Sequence, residues 1–214
     1  MSDNDFARAL CARIEQRYQA DQYKLGWRLL YSPEKVLEKA RVAFIGLNPG
    51  GDFLPADHAV FAMEEGSAYA RENWGSPPGE SRLQRQVLAL FEMLGEPADA
   101  VLAGNLVPFR SPSWDALPKK ENALTFGKSI WREILKKTQP PLVVTMGGQV
   151  TSELKNVLGV RKSDRVSVNW GNVCGERGSF INGVLVGIPH LSRFGVITRH
   201  ESRPGLRKLF ADFL

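Results

Sequence analysis

The sequence predicts an α/β protein, a three-layer α/β/α arrangement around a central, mainly parallel four-stranded sheet. Two observations carry this. Four short aliphatic runs, at 41–45 (RVAFI), 100–105 (AVLAGN), 141–146 (PLVVTM) and 183–188 (GVLVGI), lack polar alternation, as strands covered on both faces do. Segments with helical spacing lie between and around them, and strands alternating with helices imply a parallel sheet under helices on both faces.

The elements are justified in chain order. A helix is expected at 3–19, followed by the first strand. Segment 46–80 is long and irregular and holds Gly, Pro, Phe, Trp and acidic residues; loops of that length are usually functional, although a partly helical excursion packed on the core fits equally well. At 81–94, Leu83, Val87, Leu90, Phe91 and Leu94 form one apolar stripe and Gly95 ends it. At 122–137, Leu124, Ile130, Trp131, Ile134 and Leu135 are the apolar points, with lysines in the last turn, where the helix dipole favours them. A third helix is expected at 148–158. Segment 170–183 (WGNVCGERGSFING) has the turn content of a hairpin or loop feeding the last strand, and a final helix starts near Glu201. No repeat or linker divides the chain, so residues 1–214 read as a single domain.

Composition sets outer limits. With 43% hydrophobic and 24% charged residues, the chain has a soluble globular profile. No apolar run approaches ~20 residues, so no membrane span is expected. The amino-terminal stretch MSDNDFARALCARIEQRY does not read as a signal peptide. Cys11 and Cys174 cannot form a thiolate-rich metal site alone, and no CxxC exists; a reduced, cytoplasmic setting is expected. The net charge of +5 permits an anionic partner such as nucleic acid without requiring one.

In open parallel sheets, ligands bind beyond the carboxyl ends of the strands. The four predicted strands end at Gly46-Leu47-Asn48-Pro49-Gly50, at Asn105, at Gly147-Gly148 and at Pro189-His190-Leu191-Ser192-Arg193-Phe194. Each feature also has a structural use: NPG is a common turn, a strand-terminal Asn often caps a neighbour, and a lone His beside an apolar strand is often structural. Together they place two amides, one imidazole and glycine-exposed backbone on one rim. The set lacks a nucleophile with a base and lacks a metal cluster. It suits a planar, amide-bearing ligand and a developing anion.

At these residues the sequence resembles the uracil-DNA glycosylase superfamily. "GLNPGG" (46–51) is similar to the first motif of its mismatch-specific and single-strand-selective branches. "GNLVPFRSPSWDALPKKE" (104–121) is similar to the second-strand segment, and "PPLVVTMGGQVTSELKNVLG" (140–159) to a strand-then-helix segment. "PHLSRFG" (189–195) stands where the family has H-P-S-P. The resemblance covers roughly residues 40–213, in order.

The resemblance implies a monofunctional, base-flipping DNA glycosylase. It would hydrolyse the N-glycosidic bond of uracil or a related deaminated or modified base in DNA, without metal or organic cofactor, as a monomer. Asn48 would position the attacking water, Asn105 would read the uracil edge, and His190 would hydrogen-bond uracil O2 as negative charge builds there. Gly46 and Leu47 would offer backbone N–H groups near that oxygen. Gly50 stands where strict uracil enzymes carry a bulky Tyr, leaving room at the base C5. An aromatic stacks on the base in relatives; Phe53, Phe61 and Tyr69 are candidates, and Phe61 has the closest spacing. Residues 190–194 would enter the DNA, with Leu191 or Phe194 as a wedge beside Ser192. Arg193, Arg199, Arg203, Lys119 and Lys120 would contact phosphates. Three departures stand out. HLSRF lacks the stiffening prolines, two cysteines exclude a four-cysteine iron–sulfur cluster, and Asn48 in place of Asp is not a general base. The alternatives are a catalytically weak or inactive nucleobase-binding homologue, or a nucleotide-processing enzyme that uses the Asn48 loop for phosphate. That loop lacks the Lys-Ser/Thr sequel of a P-loop.

Overall fold

The computed structural model describes residues 3–52 and 66–214. Among these residues six strands form one sheet: β1 (Val42–Gly46), β2 (Leu102–Asn105), β3 (Leu142–Met146), β4 (Ser163–Trp170), β5 (Val173–Phe180) and β6 (Gly183–Ile188), in the order β2-β1-β3-β6-β5-β4. The first four in that order are parallel neighbours. β5 runs antiparallel to β6, and β4 antiparallel to β5. The three-layer α/β architecture is as expected, and the four expected strands are present.

The strand number is corrected from four to six. Segment 163–180 forms a hairpin turning at 171–172, where Gly171 has φ +53°. Its strands SDRVSVNW and VCGERGSF are half-exposed and carry charges and glycines, so they lack the aliphatic run of an interior strand. The glycines serve packing. A Cβ on Gly175 would come to 2.5 Å from Leu209 Cδ1, and one on Gly178 to 2.6 Å from Val160 Cγ1.

Among the described residues six helices cover the sheet: α1 (Asp3–Asp21), α2 (Ala68–Arg71), α3 (Arg82–Met93), α4 (Lys120–Thr138), α5 (Gly148–Leu158) and α6 (Arg203–Phe210). α1, α4 and α5 pack on the face bearing Ala43, Ile45, Leu102, Val143 and Leu185. α3 and α6 pack on the face bearing Phe44, Ala103, Val144, Val186 and Ile188. The start of α3 is set by Ser81, whose hydroxyl accepts from Gln84 N while the Gln84 side chain accepts from Ser81 N, a capping box. Among the described residues no helix is long and apolar enough to cross a membrane.

The outer edge of β2 is closed by residues 27–31. Tyr31 N donates to Ala103 O (2.7 Å) and Arg28 N to Pro108 O (2.9 Å), with antiparallel bridges Leu30–Gly104 and Trp27–Phe109. Gly104 permits this approach: a Cβ there would lie 2.6 Å from Leu29 O and 2.8 Å from Trp131 Cζ2. Trp131 is fully buried, and its indole N–H donates to Asn105 O at 2.6 Å. Overpacking a tight core site costs about 1–3 kcal/mol, so Gly104→Ala should lower unfolding stability by that amount in urea titration. An unchanged midpoint would show that Trp131 and residues 27–31 yield freely.

Candidate functional site

Register decides which strand-end residues meet. Successive strand residues point to opposite faces. Val42 and Phe44 face α3 and α6, as do Val101 and Ala103, Leu142 and Val144, and Val186 and Ile188. Gly46, Asn105 and Met146 continue those series at the carboxyl edge, with His190 two residues beyond β6. Gly46 pairs with Asn105 in register. A Cβ on Gly46 would collide with Asn105 Oδ1 and come to 3.6 Å from Met146 Cε, so the Asn105 amide lies over the bare Cα of Gly46. The His190 ring borders Gly147, where a Cβ would be 3.9 Å from its Cδ2. Asn105 and His190 are separated by three inter-strand steps of ~4.8 Å, about 14 Å of backbone. Between them on the same side lie the bare Gly46 and the buried Met146, and the Asn105 side chain is itself buried.

Asn48 is half-buried beside this rim. Its Nδ2 donates to Pro49 O (3.1 Å) and to Ser111 Oγ (2.8 Å), and Ser111 Oγ donates onward to Ser113 O (2.7 Å). Carbonyl oxygens can only accept, so this chain fixes which end of the amide is nitrogen. It leaves Oδ1 as the group able to accept from a water. The Gly50 carbonyl accepts from Arg110 Nη1, and no described atom lies within 4 Å of a Cβ built on Gly50.

His190 has its ordinary pKa lowered, first by burial and then by the Arg193 charge, so its ring is neutral at pH 7. Its Nδ1 lies 2.8 Å from Ser192 Oγ. Arg193 N and Phe194 N both donate to His190 O, closing a tight turn.

A buried polar network beneath Asn105 was not legible in the sequence. The Asn105 amide lies beside the Tyr31 phenol, where it offsets a little of the rise that burial imposes on that group's pKa. The Arg28 guanidinium lies over the Tyr31 ring, 5.0 Å from its centroid, and reaches Glu72 with two bonds of 2.9 and 2.6 Å. Trp74 Nε1 gives Glu72 a third, at 3.0 Å. Burial pushes the Glu72 carboxyl up, but the hydrogen bonds and charge of Arg28 outweigh it and hold the group below its usual range. Arg110 adds a second cation, its proton held less tightly because of burial.

One of the expected DNA contacts, the Leu191 wedge, is corrected by the fold. Leu191 is fully buried in the core beneath α3 and α6, so it has no surface to wedge into a base stack. Phe194 is half-buried, edge-on to Trp170 at 6.0 Å. Ser192 and Arg193 are exposed. Lys119 pairs with Asp21 (3.3 Å), Lys120 with Asp115 (3.2 Å) and Arg199 with Glu201 (3.2 Å). Phe53 and Phe61 lie outside the described residues. Tyr69 is buried, ringed by Tyr31, Phe44, Trp74 and Phe91, and serves as core packing.

No protein-family model and no curated protein matches the chain. A solved structure, "The crystal structure of the putative tRNA synthase from Salmonella typhimurium LT2", is similar over 79% of this chain and 42% of its own, at 11% identity and a TM-score of 0.33. The chain thus spans less than half of that structure's length, and a likeness of this size supports no functional inference.

Other chemistry is sparse. Among the described residues no group of three or more His, Cys, Asp or Glu is arranged to hold a metal. The Cys11 thiol is pushed up to about 12 by burial and then by Glu34, so it stays protonated and unreactive. A separate hollow at the opposite edge of the sheet is lined by Leu135, Pro140, Val157, Phe180 and Ile181, with Arg132 and Lys136; its lining contains no carboxylate, imidazole, thiol or hydroxyl.

The Arg28–Glu72 pair sets a pH test. The side chains are 5% and 20% exposed, and removing one partner of a buried pair costs about 3–5 kcal/mol. Glu72→Gln should destabilise the fold by about 3 kcal/mol at pH 7. Because the folded-state pKa of Glu72 is depressed, its contribution is full above about pH 4.5 and fades as pH falls through the folded value. The wild-type advantage over Glu72→Gln should therefore shrink below pH 4.5 in urea melts. An advantage constant with pH would refute ionisation of Glu72 as its source.

Proposed function

We propose that the protein is a monofunctional DNA glycosylase acting on uracil or a related deaminated or modified base. The observation that carries the reading is the Asn105 amide lying over Gly46, with a neutral imidazole across the same rim. An amide presents a donor and an acceptor side by side, as the N3–H and O4 edge of uracil requires, and a carboxylate cannot. Tyr31, held by Arg28, lies beside that amide. His190 donates a ring N–H to O2 as the base leaves with the bonding electrons. Asn48 Oδ1 holds water against the sugar C1′, where the oxocarbenium-like centre forms. The amide orients this water without taking its proton, which passes to the departed uracil anion or to solvent, so turnover is modest.

The base must leave the stack to enter such a rim. With Leu191 in the core, the loop lacks its best wedge. Unstacked DNA is therefore the better substrate, because flipping then costs least. The second reading, a nucleobase-binding homologue with little or no activity, draws on the same missing wedge and on the in-chain ion pairs of Lys119 and Lys120.

A labelled oligonucleotide carrying one uracil, incubated with protein and then alkali, should be cut, and faster as a single strand than as a duplex. Absence of cutting at uracil, hypoxanthine, xanthine and 5-substituted uracil in both forms would leave only the binding reading. Asn48→Ala should lower turnover ~100-fold while moving affinity for an uncleavable analogue less than about threefold; full turnover would remove Asn48 from the mechanism. Because burial and Arg193 lower the His190 pKa from 6.5, the rate should be flat from pH 6.5 to 8. Any step owed to His190 should lie below pH 6.5 and vanish in His190→Gln.

A further inference from the structure

The β4–β5 hairpin ends in a feature that the proposed chemistry does not use. β5 reverses the direction of β6 and β4 reverses it again, so β4 runs parallel to β6. Trp170, its last residue, emerges at the same carboxyl edge as His190. The register of the pair shifts between Ser167 and Trp170, a bulge of the kind that re-aims a side chain at a sheet edge. Asn169, inside the bulge, sits at φ +55°, a conformation uncommon for residues other than glycine. It is pinned there by Nδ2 donating to Glu201 O at 2.8 Å.

The result is a layered surface. The Arg199 guanidinium lies over the Trp170 ring, 4.9 Å from its centroid. Its Nη1 donates to Asn169 O at 2.6 Å and its Nε pairs with Glu201 at 3.2 Å. Phe194 abuts Trp170 edge-on and links the layer to the His190 turn. The Arg199 side chain remains 35% exposed, and Arg82, Arg193, His200 and Arg203 are exposed on neighbouring segments. Glu201 is the acid on this patch that pairs with Arg199, and an exposed pair of this kind is weak.

We propose that Trp170 and Arg199 form a stacking platform for a nucleobase of single-stranded DNA, next to the excision site. This rests on the DNA reading above. Nucleobases stack on aromatic rings and on guanidinium planes, and the surrounding cations match a phosphate backbone. Trp170 stands two inter-strand steps from His190, about 10 Å. At ~3.4 Å per stacked nucleotide, the platform meets a base two or three nucleotides from the flipped one. It holds the strand where Leu191 cannot.

The test is fluorescence anisotropy with a labelled, uracil-free single-stranded 12-mer, its duplex, and RNA of the same sequence. Trp170→Ala should weaken single-strand binding about 5- to 100-fold and duplex binding much less. Arg199→Lys keeps the charge and loses the plane. It should weaken single-strand binding with an unchanged slope against log salt, and with a wild-type melting temperature, which guards against a folding artefact in Trp170→Ala. Wild-type binding that neither substitution weakens overturns the platform alone and leaves the glycosylase reading to the uracil assay. Failure of wild type to bind any strand, together with intact uracil, overturns both. Tighter binding of RNA than DNA overturns the assigned occupant.

Discussion

A parallel strand buried on both faces can offer a ligand only its ends. β1, β2 and β3 are of this kind throughout and β6 over its last four residues, and their shared direction collects their carboxyl termini at one edge. The two-residue period then sorts those termini by face. Gly46, Asn105 and Met146 fall on one side because the core residues two positions earlier do. No loop has to search for this geometry; the same burial that stabilises the sheet assembles the rim.

Beneath the rim lies the riskier part of the molecule. A guanidinium and a carboxylate taken out of water are strongly unfavourable unless their hydrogen-bonding capacity is met. Here Glu72 accepts three bonds, from Arg28 twice and from Trp74. Arg28 also lies on the Tyr31 ring, an arrangement its flat, weakly hydrated head favours. The Asn105 amide lies beside the Tyr31 phenol. A satisfied buried network of this sort rigidifies what it touches, and what it touches is the amide expected to read a base.

The interior strands and their helices were legible because burial leaves a periodic mark on sequence. Stripes such as Leu83–Val87–Leu90 and unbroken runs such as LVVTM have few other uses. β4 and β5 were not legible, since an edge hairpin half in water has no need of such runs. The amides at 48 and 105 and the imidazole at 190 could be named from strand ends, and they do share an edge. Arg28, Glu72 and Arg110 could not. They lie far apart in the chain, and an isolated charge looks the same in sequence whether solvated or buried; the one local hint is the arginine inside the apolar stretch GWRLLY at 26–31. Leu191 was misread because an apolar residue in a polar turn suits a wedge and a core plug equally, and only the fold distinguishes them.

The strand-like segment 27–31 carries a consequence for how copies of the molecule can meet. It occupies the hydrogen-bonding groups along the outer side of β2, so among the described residues the sheet has one open border, along β4. That border is interrupted by the bulge before Trp170 and carries Asp164 and Arg165, both deterrents to strand addition. Should two copies pair there, each would exhaust its single open border on the other. Edge-to-edge association would then close as a twofold dimer rather than propagate as a fibre.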